Sequence, residues 1–121
     1  MSYDTENIFA KILRGEIPCD KVFENEHALA FRDIRPQAPV HVLIIPKGGY
    51  VSSSDFSEKA SAEELVGFMR AIRAVAEKMG VLESGYRLIA NAGADGMQEV
   101  AHFHVHLLGG RPLGRMLPSA H

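Results

Sequence analysis

The chain has 121 residues, 46% of them hydrophobic and 23% charged, with a formal charge of −2 and one cysteine. That is the size and composition of a single soluble domain with one core. The slightly acidic balance excludes a basic nucleic-acid-binding face, and no run approaches the roughly 18 apolar residues of a membrane span. The N-terminus lacks the basic-then-apolar pattern of a secretory signal, so a cytoplasmic location is expected. With no second cysteine for an internal disulfide, Cys19 reads as a small buried or half-buried residue.

Residues 4–14 carry Ile8, Phe9, Ile12 and Leu13 at helical spacing, behind Asp4 and Thr5 as N-cap candidates and ahead of Gly15 as a stop. This predicts a short amphipathic helix whose stripe packs into the core. Beyond Ile17-Pro18, residues 21–24 and 28–33 read as a hairpin around Glu24-Asn25-Glu26-His27, with His27 solvated in the turn. Two prolines make residues 35–39 a loop, which leads into the β-branched run 41–47, a central strand closed by Gly48-Gly49. Residues 51–60, with four serines, read as an exposed connection holding at most one turn of helix.

Ser61-x-x-Glu64 is a capping box that opens a long helix, in which Leu65, Phe68, Met69, Ile72, Val75, Ala76 and Met79 recur at three and four residues until Gly80. One face must be buried, on the sheet or on a second chain. Gly67 admits a close backbone approach, at about 1 kcal/mol in helix propensity. Residues 86–91 form a strand, and a loop over 92–99 with Gly93 and Asp95-Gly96 returns the chain to the sheet. From Arg111 onward two prolines and no periodicity predict an extended arm over 112–121 that ends in a solvated His121. The whole is read as one domain, 1–121, with its core over about 4–111.

The densest chemistry lies in residues 102–111, His-Phe-His-Val-His-Leu-Leu-Gly-Gly-Arg, which hold three of the six histidines. His102, His104 and His106 alternate with Phe103, Val105 and Leu107, so a strand would place the imidazoles on one face and the apolar residues on the other. A solvated strand face is the plainest reading, and a metal site is the first alternative. At about 3.3 Å per residue the outer histidines stand roughly 13 Å apart, and zinc needs nitrogens at about 2.0–2.1 Å. One ion takes an i, i+2 pair at most, with a further ligand from His41, the Asp33 region or Cys19. A phosphate ester, with attacking group, leaving group and charged oxygens, has the extent of the whole row.

Taken together these residues resemble a known family. His102-Phe-His104-Val-His106-Leu-Leu resembles the histidine-triad motif of the HIT superfamily. Ile8-Phe9-x-Lys11-Ile12, Gly15-Glu16-Ile17-Pro18, Ala30-Phe31-x-Asp33-Ile34-x-Pro36-Gln37-Ala38-Pro39, the run 41–47, Asn91-x-Gly93, Asp95-Gly96-x-Gln98 and Gly109-Gly110-Arg111 resemble its HINT branch, the histidine-triad nucleotide-binding proteins. The similarity runs from about Asp4 to Arg111. It implies an α+β HIT-like fold with a five-stranded antiparallel sheet, one short and one long helix, and a homodimer in which the sheet extends from one chain to the next and the long helices and C-terminal segments pack together. Members hydrolyse purine nucleoside phosphoramidates such as AMP-amidate and aminoacyl- or lysyl-adenylate-type compounds, releasing AMP or GMP.

The resemblance implies that His104 is the nucleophile, forming a nucleotidyl-histidine intermediate, with His102 and His106 orienting it and donating to phosphate oxygens. Histidine chemistry agrees. An imidazole titrating near 6.5 is largely uncharged at neutral pH and attacks phosphorus without prior deprotonation, and covalent catalysis divides P–N hydrolysis into two displacements. By the same resemblance Asp33 accepts the ribose hydroxyls, and Ile8, Phe9, Ile12, Ile17, Phe31 and Ile34 form the slot for the base. Asn91, Met97, Gln98, Glu99 and Val100 form the phosphate-side loop. No metal and no cofactor is required. The partners implied are a purine nucleotide or nucleoside phosphoramidate and a second copy of the chain, with neither nucleic acid nor membrane.

Three positions depart from the family pattern. Met97 stands where a second glycine is usual, so a left-handed backbone there carries strain. Glu99 replaces a common Ser or Thr, and its carboxylate either points away from the phosphate or reaches the amine of the leaving group. Gly48-Gly49-Tyr50 replaces a basic run, so no role transfers to Tyr50. The rival readings are a dinucleoside polyphosphate hydrolase and a regulatory nucleotide-binding dimer without catalysis.

Overall fold

The computed structural model describes residues 2–118. Its shortest helix, α1 (Ile8–Leu13), starts later than Asp4 and Thr5 suggested. Asn7 caps it by accepting from Ala10 N–H at 2.9 Å, while Asp4 is spent one turn earlier, taking Glu6 N–H at 2.9 Å. Gly15, at φ 79°, supplies the left-handed residue that ends it.

Five strands form one antiparallel sheet in the order β1-β2-β3-β5-β4, with β1 Lys21–Glu24, β2 Ala28–Arg32, β3 Val40–Pro46, β4 Tyr86–Ile89 and β5 Val105–Gly109. The β-branched β3 lies at the centre and is buried from His41 onward. Its alternation sends Val42 and Ile44 to one face, with Phe103, Val105 and Leu107, and Leu43 and Ile45 to the other, with Phe9, Leu29 and Phe31. Leu43 pairs with His106 across the ladder, so His106 belongs to the second face.

The first face is covered by α3 (Ala62–Lys78), whose expected capping box is present: Glu64 N–H donates to Ser61 Oγ at 3.1 Å and Ser61 N–H to Glu64 Oε1 at 3.0 Å. Phe68, Ile72 and Val75 are buried against β1, β2 and β3, at roughly 1.5–3 kcal/mol each. The apolar face therefore finds its cover within its own chain. Met69, assigned to that face by spacing, is instead 61% exposed, because it stands on the rim of the stripe. Gly67 does permit a close approach, since a Cβ there would lie 2.7 Å from His27 Cδ2, and Asn25 Nδ2 donates to its carbonyl at 3.0 Å. His27 thus packs against the helix and is not simply solvated.

Residues 51–60 differ from the exposed connection expected. They form a third helix, α2 (Ser53–Lys59), capped by Ser52, with Phe56 buried in edge contact with Phe68 and stacked at a tilt on Phe103, both at 5.2 Å. One aromatic is enough to anchor a seven-residue helix, and it leaves no periodic signal. Cys19 is exposed, contrary to expectation, in the coil between α1 and β1. After β5 the chain turns back along β4, where Arg87 donates to the carbonyls of Gly114 at 2.9 Å and Arg115 at 3.2 Å. His121 lies outside the described residues. Among those residues no helix is long and apolar enough to cross a membrane.

Candidate active site

On the face opposite α3, a cleft of about 600 Å³ opens between α1, the ends of β2 and β5, and the loop over residues 92–99. That volume suits a nucleotide-sized ligand. Its walls are Ile8, Phe9, Ile12, Ile17, Phe31 and Ile34, all six expected to form an apolar slot, together with Leu43. Asp33, Asn91, Glu99, His104 and His106 bring polar groups to it, and Met97 and Val100 close one side.

Two of the expected residues do not line the cleft. Gln98 is a brace: its Oε1 accepts Gly93 N–H at 3.1 Å, and its Nε2 donates to the carbonyls of Val51 at 2.6 Å and Val100 at 2.8 Å. His102 is fully buried behind His104. The strand was expected to contain all three histidines, yet β5 begins only at Val105. The preceding backbone finds other partners, Phe103 N–H donating to the Tyr50 carbonyl at 2.7 Å. The alternation survives in this extended lead-in, with Phe103 in the α3-side core and His104 against the Phe9 ring at 5.0 Å on the other.

Hydrogen bonds fix each tautomer, because a carbonyl only accepts. His102 Nε2–H faces the Pro46 carbonyl at 2.8 Å, so its Nδ1 is the acceptor for the Tyr3 hydroxyl at 2.5 Å. His104 Nδ1–H donates to the His102 carbonyl at 2.7 Å, which leaves Nε2 as the nitrogen with the lone pair. His41 Nδ1 accepts Gln37 N–H at 3.1 Å, so its Nε2–H donates to His106 Nδ1 at 3.0 Å, and His106 in turn keeps its proton on Nε2. Asp33 Oδ2 lies 3.5 Å from His41 Nε2, and Oδ1 accepts Arg35 N–H at 2.8 Å. Neutral rings are favoured throughout. Burial pushes His102 down to about 4 and, with the neighbouring His104 and His41, does the same to His106. Burial also lowers His41 and His104, the latter opposed by the His102 carbonyl and by the charges of Asp33 and Glu99.

His41 and Tyr3, which hydrogen-bond to His106 and His102, are the neighbours of the histidine row that sequence reading passed over, the first considered only as a metal ligand. Strand alternation placed His41 on the face of Leu43 and Ile45; nothing marked Tyr3. One oxygen of Asp33 and one nitrogen each of His41 and His106 lie within 4.8 Å of one another, a spacing that suits a cation. The donor set does not: His41 Nε2 carries a proton because Nδ1 already accepts from Gln37, so a cation would have to displace the proton that holds His106.

The loop over 92–99 carries the expected strain. Met97 has φ 56°, in the left-handed region, with Gln98 N–H donating to the Gly93 carbonyl at 3.1 Å across the turn. Glu99 is exposed at the mouth, near enough for its charge to act on His104. Tyr50 turns away, its hydroxyl donating to Glu64 Oε2 at 2.7 Å, an interaction that pushes its own pKa up to about 12.

An antiparallel α+β sheet with a row of neutral, tautomer-fixed histidines at the floor of an apolar cleft defines a class of histidine-based domain. The HIT domain model matches residues 14–113, and the chain belongs to that family. It is 56% identical over 116 residues to an uncharacterised 13.2 kDa HIT-like protein of Azospirillum brasilense, covering 96% of this chain and 95% of the relative. It is 52% identical over 113 residues to the purine nucleoside phosphoramidase of Escherichia coli K12, covering 93% of each. A solved HIT family hydrolase from Clostridium thermocellum superposes at a TM-score of 0.85 with 42% identity, covering 93% of this chain and 97% of that one.

Proposed function

We propose that the protein is a nucleotide-binding hydrolase that cleaves the P–N bond of purine nucleoside phosphoramidates, of AMP-amidate or aminoacyl- or lysyl-adenylate type. The observation that carries this reading is the His104 ring, locked by the His102 carbonyl with its Nε2 lone pair on the cleft side of an uncharged imidazole. The named activity of the Escherichia coli relative supports it.

In the proposed reaction the base lies in the slot of Phe9, Ile12 and Phe31, and Asp33 takes the ribose hydroxyls. His104 Nε2 attacks phosphorus and the P–N bond breaks, its electron pair leaving on the amine, which takes a proton from solvent. His106 Nε2–H donates to a phosphoryl oxygen as charge develops there. With Nδ1–H retained, the nucleotidylated His104 ring is cationic, and the His102 carbonyl stabilises it. Water then displaces the ring at phosphorus, releasing the mononucleotide and a proton and restoring the lone pair. Neither metal nor cofactor enters these steps, and the protein works in the cytoplasm.

We also propose a homodimer. The outermost strand β4 exposes Tyr86, Leu88 and Ile89 and has no strand paired on its far side among the described residues, which favours sheet extension by a second copy.

A panel of AMP-amidate, GMP-amidate and diadenosine tetraphosphate, offered to the parent and to His104→Asn, tests the proposal. Amidate turnover that vanishes in the variant, with AMP affinity kept, supports it. Comparable cleavage of diadenosine tetraphosphate favours the polyphosphate rival, and no turnover by the parent favours a binding dimer.

A further inference from the structure

The row of histidines is tied to a segment far outside the cleft. Tyr3 meets His102 across 99 positions of sequence, its hydroxyl on Nδ1 and its ring at a 70° edge contact with 5.5 Å between centroids. The tyrosine has a fitted seat: a Cβ on Gly49 would lie 2.9 Å from its Cδ2 and 3.0 Å from its Cε2, so only glycine leaves room for the ring. Tyr3 does not line the cleft.

His102 has no exposed surface, and each of its polar ring atoms has one partner: Pro46 for Nε2 and Tyr3 for Nδ1. The Phe9 ring packs on its edge at 6.3 Å, and its own carbonyl holds His104 Nδ1–H. We propose that Tyr3 is a positioning residue for the reaction, acting through His102: its hydroxyl locks the buried ring in one orientation, and the locked residue presents the carbonyl that aims His104. This rests on the phosphoramidase reading for its kinetic consequence, but the lock itself is independent of any substrate.

The contact works in the direction chemistry requires. A hydroxyl is both donor and acceptor, so it satisfies a buried Nδ1 without imposing charge, whereas a phenylalanine of the same shape leaves that nitrogen unpartnered in the interior. Without the hydroxyl, residue 102, whose own carbonyl holds His104 Nδ1–H, is anchored through its ring at Nε2 alone.

Tyr3→Phe keeps the ring in its seat and removes only the hydroxyl. Long-range proton–nitrogen NMR of the imidazoles in the parent should show His102 as the Nε2–H tautomer with a hydrogen-bonded Nδ1. In the variant the Nδ1 resonance should move toward that of an unbonded nitrogen, and the His104 resonances should broaden or split. With an AMP-amidate substrate, kcat should fall about tenfold, as expected when a buried hydrogen bond that aims a reacting group is lost, with KM within about twofold. Gly49→Ala, which displaces the ring, should reproduce both changes. An unchanged His102 Nδ1 resonance in Tyr3→Phe overturns the lock. A changed resonance with parental kcat overturns the positioning role. A parent protein without amidase activity fails the phosphoramidase reading, while the NMR result still decides the lock.

Discussion

Lowering the pH from 6.5 to 5 should destabilise the protein through its buried histidines. The fully buried His102 titrates at about 4 in the folded chain against an ordinary 6.5, so over this range the unfolded chain binds the proton and the folded one does not. Stability contributed by such a group is complete above about pH 6.5 and is lost as the pH falls toward its folded value. For His102 alone the loss is about 2 kcal/mol at pH 5 and about 3 kcal/mol at pH 4. His106, His104 and His41 are lowered in the same direction and add to the slope. The depressed carboxylates, Glu24 beside Lys47 and Lys21, and Glu64 beside Ser61 and Tyr50, lose their contribution at lower pH still. Urea unfolding at half-unit steps, in the parent and in His102→Gln, reads the effect. Each proton contributes about 1.4 kcal/mol per pH unit, and the variant should lose about one proton from the slope between pH 6.5 and 5. An identical slope in the two proteins would refute the reasoning.

Other substitutions test the loop and the mouth. Met97→Gly removes an exposed side chain at φ 56° and should raise stability by about 1 kcal/mol, or Tm by about 4 °C; a lower Tm in a thermal melt would show that the turn carries no strain. Gln98→Ala removes three hydrogen bonds, one to Gly93 within the loop and two to Val51 and Val100 outside it, and should cost about 1–3 kcal/mol and raise KM for the amidate; urea unfolding and steady-state kinetics check both. Glu99→Gln should lower kcat/KM for amidates of cationic amines by about two- to fivefold relative to neutral ones, the worth of an exposed charge pair. An unchanged ratio means the carboxylate points away from the leaving group.

How far the sequence could be read followed from the range of each interaction. Alternation through Phe103, Val105 and Leu107 marked the split between core and histidine face, because period two survives even where the ladder is absent. Where β5 begins was not legible: β4 pairs only as far as Ile89 opposite His106, and the backbone before that takes Tyr50 as its partner. The capping box and Gly67 were legible because both act within a turn or through a missing side chain. The buried Phe56 was hidden in a serine-rich run. His41 was identifiable only by its place in the alternation of β3, and Tyr3 by nothing local, since its contact spans nearly the whole chain. Gln98 carried a resemblance to a cleft residue, while its amide is consumed within the loop.

The central claim is the His104 nucleophile, and the direct measurement is capture of the covalent intermediate. Parent protein mixed with AMP-amidate for milliseconds, denatured at alkaline pH where a phosphorus–nitrogen bond to histidine persists, and mapped by fragmentation mass spectrometry should carry an adenylyl group on His104, absent from His104→Asn. An adenylyl group on His102, His106 or His41, or turnover retained by His104→Asn, would contradict the account.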